Sequence, residues 1–196
     1  MGKADRTKQF ILEKAAPIFN SKGIAGTTMD DILAATKMAK GGIYRNYESK
    51  EAISYASVDY LLKKLTGKVN EIMTKEKTAV KKLFAFMELY SNPHLPYIEG
   101  GCPIMNIGVD SDNTNPHIKE MVKKLINSSL EQFAAALKQG IKNGELSSNL
   151  NADEYCLKMF VMIEGAMLVS RITDSNKPMH SIIKMLKSEL KIFQLN

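Results

Sequence analysis

The chain has no tryptophan, only two cysteines, only three histidines and no long uncharged apolar run, and each scarcity removes a class of explanation. Cys102 and Cys156 lie too far apart for a zinc knuckle, and His94, His117 and His180 are scattered, so no metal site is expected. So few cysteines fit a reduced, cytoplasmic protein better than a disulfide scaffold. The start, MGKADRTKQF, is charged and no apolar h-region follows it, so neither a signal peptide nor a membrane span is expected. No nucleophile–base–orienter set and no phosphate loop stand out, which argues against an enzyme and against a bound cofactor. Strand-like alternation, internal repeats and low-complexity tracts are also missing.

What is present is ordinary in amount and uneven in placement. The chain of 196 residues is 44% hydrophobic and 24% charged, enough for one or two domains with a sizeable core. Its net charge is +6. Residues 1–50 hold nine Lys and Arg against five Asp and Glu, whereas residues 51–196 hold eighteen against sixteen. The excess near the N-terminus fits an anionic partner met there.

Helical periodicity runs through nearly the whole chain, and the fold class expected is all-α. Ile11, Ala15, Ile18 and Phe19 share one face of a helix over 8–21, which Gly23 stops. Pro17 lies inside that pattern and predicts a local kink. Thr28 and Asp31 have capping-box spacing for a second helix. A short third helix is expected over 39–47. Ser49 then caps a helix running to about Thr74, with Ile53, Ala56, Tyr60 and Leu61 on one side. Further helices are expected over 78–91, 102–109, 118–141, 152–173 and from Pro178 to about Phe193, with a turn-rich break at 92–101 and a polar loop at 110–116.

The segment from Thr27 to Lys50, TTMDDILAATKMAKGGIYRNYESK, is the most specific part of the chain. It reads as two short helices with a tight turn, the second too poor in apolar residues to be a core helix. That is the pattern of a helix-turn-helix DNA reader. Gly41 and Gly42 allow a close backbone approach. Lys40 and Arg45 suit phosphates or guanine edges. Tyr44 and Tyr47 offer hydroxyls to phosphate and rings to base edges. Thr27 and Thr28 sit at a helix N-terminus, which attracts phosphate, and Lys50 is placed to clamp the same strand. Ala39 opens the reading helix.

The run from Ile11 to Lys50 resembles the DNA-binding domain of the TetR family of bacterial transcriptional regulators. The matching residues are Ala15, Phe19, Gly23, Thr27, Thr28, Ile32, Ala35, Lys40, Gly41, Tyr44, Tyr47, Ser49, Lys50 and Glu51. The resemblance implies an all-helical homodimer with its reader in residues 1–50. Residues 51–196 would form a ligand-binding and dimerisation domain, and repression would be relieved by a small molecule. Two positions depart from the family pattern: Lys37 stands where the turn usually carries Gly, and Ala39 where the third helix usually begins with Ser or Thr.

The remaining candidates lie beyond residue 75. The helix over 152–173 is apolar on nearly all sides and must be covered on all of them. With the helix over 118–141 it predicts a two-fold four-helix interface through Leu125, Phe133, Leu137, Val161, Gly165 and Leu168. Met87, Tyr90, Met105, Asn106, Met159 and Met162 are candidates to line an adaptable effector pocket. Glu164, in an apolar stretch, calls for Arg171, Lys158 or a cationic ligand group as partner. Cys102, at a loop-to-helix start, is either a reactive thiol or a small packed residue. Its segment, GCPIMNIGVDSDNTNP, is similar to a Gly-Cys motif in a TetR-family subgroup, some of whose members sense electrophiles. The leading reading is a dimeric, ligand-released repressor on a palindromic operator. The alternative is a small-molecule or electrophile sensor that acts through protein contacts with a weakened DNA reader.

Overall fold

Most of the helix ends expected from caps and breakers are found within one or two residues. The computed structural model describes residues 2–195. Among them it forms α1 (Lys3–Gly26), α2 (Met29–Thr36), α3 (Lys40–Tyr44), α4 (Lys50–Lys75), α5 (Ala79–Leu89), α6 (Pro103–Ser111), α7 (Pro116–Lys142), α8 (Ala152–Ile172) and α9 (Lys177–Ile192). Thr28 caps α2 in the expected box: its Oγ1 accepts from the Asp31 N–H at 3.1 Å, and Asp31 Oδ2 accepts from the Thr28 N–H at 2.9 Å. Ser49 Oγ accepts from the Ala52 N–H at 3.0 Å and opens α4. The backbone of α1 departs from helical angles at Gly23 (φ 76°, ψ 171°) and not at Pro17, where the kink was expected. Two further boundaries differ. α1 begins at Lys3, and α6 continues to Ser111, so Asp110 is helical rather than part of a loop.

Residues up to Leu65 pack with Ile98–Lys123 as one compact unit, and Thr66–Tyr97 pack with the residues from Lys124 onward as another. This packing does not follow chain order. α6 and the start of α7 join the N-terminal helices because α6 is tied to the end of α1: Asp110 Oδ2 accepts from the Ile24 N–H at 2.8 Å. Around α1–α3 this unit has a small cluster of its own. Ile11, Ala15 and Phe19 of α1 meet Ile32 of α2, Ile43 of α3 and Ile53 of α4, with Ile24, Met29, Leu33, Met38 and Tyr47 packed against them. Each fully buried Ile or Phe contributes about 1.5–3 kcal/mol.

The second unit is built on long amphipathic helices. Phe86 of α5 packs on Phe133 of α7 with ring centroids 4.3 Å apart. Tyr155 of α8 donates its hydroxyl to the Leu186 carbonyl of α9 at 2.8 Å. Burial pushes the Cys156 thiol up to about 12, so it stays protonated and packs as a small apolar group. The Glu145 carboxylate caps α5 from the α7–α8 turn, accepting from the Ala79 and Val80 N–H groups at 2.8 and 2.9 Å. Among the described residues there is no strand, only an isolated antiparallel bridge between Leu146 and Gln194, and no helix is long and apolar enough to cross a membrane.

Phe133 and Leu137 are completely buried inside this unit and present nothing to a second subunit. Their helix, α7, has no large apolar side chain standing exposed, unlike α8. Periodicity showed that α7 has an apolar face; α5 and its neighbours already cover it.

Candidate nucleic-acid interface

The turn between α2 and α3 takes the shape that a helix-turn-helix requires, at some strain. Lys37 adopts the left-handed region (φ 54°, ψ 27°) and its N–H bonds to the Leu33 carbonyl at 2.9 Å. A non-glycine residue there costs about 1–2 kcal/mol. Ala39 sits at the N-cap of α3 with no side-chain hydrogen bond, and its carbonyl accepts from the Gly42 and Ile43 N–H groups at 2.8 and 3.3 Å. α3 is shorter than the expected 39–47. Its hydrogen bonds carry on through the Asn46 and Tyr47 N–H groups, both to Ile43.

Most of α3 points outward. Ile43 alone is buried and anchors the helix to the core, while Lys40, Gly41, Tyr44 and Arg45 are exposed. The Lys40 ammonium stands 6.0 Å from the centroid of the Tyr44 ring, and Arg45 Nε donates to the Gly41 carbonyl at 3.2 Å. A Cβ at Gly41 would meet nothing within 4 Å. No internal packing calls for glycine there, and glycine in a helix costs about 1 kcal/mol relative to alanine. Gly42 differs, since a Cβ there would lie 3.2 Å from Met38 Cε, the flexible end of a side chain.

Three of the expected DNA contacts are turned inward. Thr27 is fully buried and its hydroxyl donates to the Gly23 carbonyl at 2.7 Å. Tyr47 packs its ring against the small core, where burial raises its phenol pKa, and Lys8 of α1 lies 5.8 Å over that ring. The Lys50 ammonium donates to the Ile24 and Thr27 carbonyls at 3.1 and 2.8 Å, stapling the α1–α2 corner to the start of α4. A lysine and a threonine beside a helix terminus suit a backbone carbonyl as well as a phosphate, which is why sequence alone did not separate the two roles. Thr28 is exposed, with its hydroxyl engaged in the cap. Asp31 is held down to about 2, chiefly by Lys22 at 2.6 Å and then by Thr28.

The effector candidates fall into two groups. Met87, Tyr90 and Met159 are buried in the second unit, with Met162 and Glu164 half-buried there. Cys102, Met105 and Asn106 belong to the first unit. Lys158, one expected partner of Glu164, pairs with Glu189 instead. Asn106 donates its side-chain amide to the Asn20 and Gly100 carbonyls at 3.0 and 2.9 Å. An open groove of about 610 Å3 in the second unit, between α5 and α9, is lined by Glu88, Ser91, His180, Lys184, Lys187 and Lys191 among others, and by none of these candidates. Among the described residues no cluster of His, Cys, Asp and Glu has the makings of a metal site.

On α8 the exposure is unusual. Leu157, Val161, Leu168 and Ile172 are all at least half exposed, and with exposed Gly165 they line one face at helical spacing. Met185 and Ile192 of α9 are exposed as well.

Residues 11–54 match the family described as bacterial regulatory proteins, tetR family, and residues 79–186 match the tetracyclin repressor-like C-terminal domain. A TetR transcriptional regulator from Chloroflexus aurantiacus J-10-FL superposes with a TM-score of 0.93 at 33% identity, over 100% of both chains. A TetR-family regulator from Cytophaga hutchinsonii gives 0.92 at 29% identity, over 100% of this chain and 98% of its own. The transcriptional repressor DhaR of Mycobacterium sp. (strain GP1) is 22% identical over 180 residues, 91% of this chain and 89% of that protein.

Proposed function

Because this chain belongs to the TetR family of DNA-binding transcriptional regulators, which are not enzymes, we propose that it is a ligand-released repressor gripping a palindromic operator as a homodimer. Residues 1–50 supply the reader in this proposal, and residues 51–196 supply effector binding and dimerisation. The observation that carries it is the outward face of α3: Lys40, Gly41, Tyr44 and Arg45 are all exposed on a helix pinned by Ile43 alone. Such a helix contributes little to the core and much to a groove. Thr28, Ala39 and Gly42 flank that face; Thr27, Tyr47 and Lys50 support it from inside.

The dimer is proposed to form through the apolar faces of α8 and α9, which pack against each other within one protomer. Val161, Gly165 and Leu168 stay in the interface. Leu125, half-buried on α7, is at most peripheral to it. Gly165, where a Cβ would meet nothing within 4 Å, leaves room for the partner's helix. A two-fold pair places two readers on half-sites about 34 Å apart. An effector among Met87, Tyr90, Met159 and Met162 would shift α4 and splay the readers. The Lys50 staple passes such a shift straight to the α1–α2 corner.

The test is selection of duplexes from random DNA with the purified protein at near-physiological salt. An enriched palindrome is expected, and Tyr44→Ala and Arg45→Ala should each weaken its binding by roughly tenfold or more. A failure to enrich any sequence would favour the alternative, a sensor that works through protein contacts.

A further inference from the structure

α1 is interrupted at Gly23, and α6 supplies partners to both halves of one of its rungs. A continuous helix would bond the Ile24 N–H to the Asn20 carbonyl. Gly23, at φ 76° and ψ 171°, turns the peptide that carries the Ile24 N–H away from that carbonyl. The two groups left over face α6. Asp110 Oδ2 accepts from the Ile24 N–H at 2.8 Å, and Asn106 Nδ2 donates to the Asn20 carbonyl at 3.0 Å. Asn106 and Asp110 are four residues apart, hence on one face of α6, and they bond to a donor and an acceptor that are themselves four residues apart on α1.

The surroundings are closed around this arrangement. Asn20 is only 2% exposed, and its own side chain donates to the Glu99 and Gly101 carbonyls at 2.7 and 3.1 Å. Gly100 passes so close that a Cβ there would lie 2.6 Å from Ser21 Oγ. A Cβ on Gly23 would lie 3.0 Å from Asp110 Oδ1. Beyond the break, the Gly23 carbonyl is taken by Thr27 Oγ1, and the Ile24 and Thr27 carbonyls by Lys50. The corner leading into α2 thus has its polar backbone groups held from three directions.

We propose that Asn106 and Asp110 are positioning residues for DNA reading. Docked on α1, they keep the rung open at Gly23 and so set the direction in which the chain enters α2 and α3. With α6 withdrawn, the Ile24 N–H and the Asn20 carbonyl lose their partners, nothing holds Gly23 at these angles, and the corner loses its fixed direction. The inference rests on the assignment of α2 and α3 as the reader.

The experiment uses full-length protein and the duplex enriched from random DNA. Wild type, Asp110→Ala, Asp110→Asn, Tyr44→Ala and Arg45→Ala are compared for binding to that duplex and to an unrelated one, with amide hydrogen exchange read at Ile24. Asp110→Ala should deprotect the Ile24 amide and lower affinity for the enriched duplex by about tenfold, the scale of a lost charge-assisted bond. Its binding to unrelated DNA should hold. Asp110→Asn, which loses the same charge but keeps an acceptor oxygen, should restore most of both readouts. If Asp110→Ala is too unstable to bind, the Asn variant decides: a folded Asn variant with wild-type selectivity and a protected Ile24 amide supports the proposal, and one that lacks either overturns it. Wild-type affinity or wild-type Ile24 protection in a folded Asp110→Ala protein also overturns it. The α3 variants separate the two claims. If they bind like wild type, the reader assignment fails and takes this inference with it; if they lose binding while Asp110→Ala keeps it, only the positioning role fails.

Discussion

The two compact units are both helical, yet they are closed in different ways. In the unit that contains the reader, the cluster under α2 and α3 is a handful of isoleucines and a phenylalanine, and the helix ends beside it are tied by side chains from distant positions: Lys50, Asp110, Asn20 and Asn106 all bond to backbone. In the second unit α5, α8 and α9 bury apolar faces against one another, and α8 still exposes Leu157, Val161, Leu168 and Ile172. A small cluster gains definition from polar staples, whose geometry is directional. A long helix that exposes an apolar stripe leaves that stripe for something else to cover. The first unit is finished by its own chain; on the proposed reading the second is finished by a second copy of it.

The strongest break of that contrast is to charge the stripe. Replacing Val161 and Leu168 together by glutamate should turn the proposed dimer monomeric in sedimentation and reduce affinity for the enriched duplex by roughly a hundredfold or more, because bivalent grip would be lost. An unchanged mass would show that α8 is no interface. Next in size is the reader's staple. Lys50→Ala should lower unfolding stability by about 2 kcal/mol through loss of a charge-assisted pair of bonds, read as a shift in denaturant midpoint. Stability equal to wild type would mean that water serves the two carbonyls as well. Lys37→Gly should do the reverse and raise stability by about 1 kcal/mol by relieving the left-handed lysine; a lower midpoint would show that the turn is unstrained. The smallest effect belongs to Asp31. Its pKa falls from 3.8 to about 2 in the folded state, so its contribution is complete above the unfolded value and disappears as pH drops through the folded one. The difference in melting temperature between wild type and Asp31→Asn should therefore stay level from neutral pH to about 5 and close as pH approaches 2. A difference that persists there would assign the effect to something other than ionisation.

Local features were the legible ones. Thr28 with Asp31 and Ser49 each mark a helix end through chemistry contained within a few residues, and each is found where that chemistry predicts; Gly23 breaks the helical angles as glycine can, although α1 resumes to Gly26. The outward set on α3 was legible for the same reason: Ile43 is its one apolar anchor among polar and small residues. Roles that depend on a partner far along the chain were not. Nothing near Thr27 or Lys50 distinguishes a carbonyl from a phosphate as their target, and Phe133 reads as apolar whether a neighbouring helix or a second subunit covers it. Asp110 looked like loop because it sits in a polar run. Only the fold brings it to the Ile24 N–H, and that meeting is what draws α6 into the reader's unit.

That position of Asp110 has an electrostatic consequence. It lies in the last turn of α6, where the carbonyl ends make a carboxylate unwelcome by about 0.3–1 kcal/mol. Asp112, just beyond, is compensated by Lys119 at 2.6 Å. Asp110 is compensated by a backbone dipole belonging to another helix. Take α1 away and α6 ends on an uncompensated negative charge at its own negative pole, so its final turn should fray. The length of α6 is then an indicator of whether α1 is beside it, and an amide near Ser111 would report the state of the neighbouring helix.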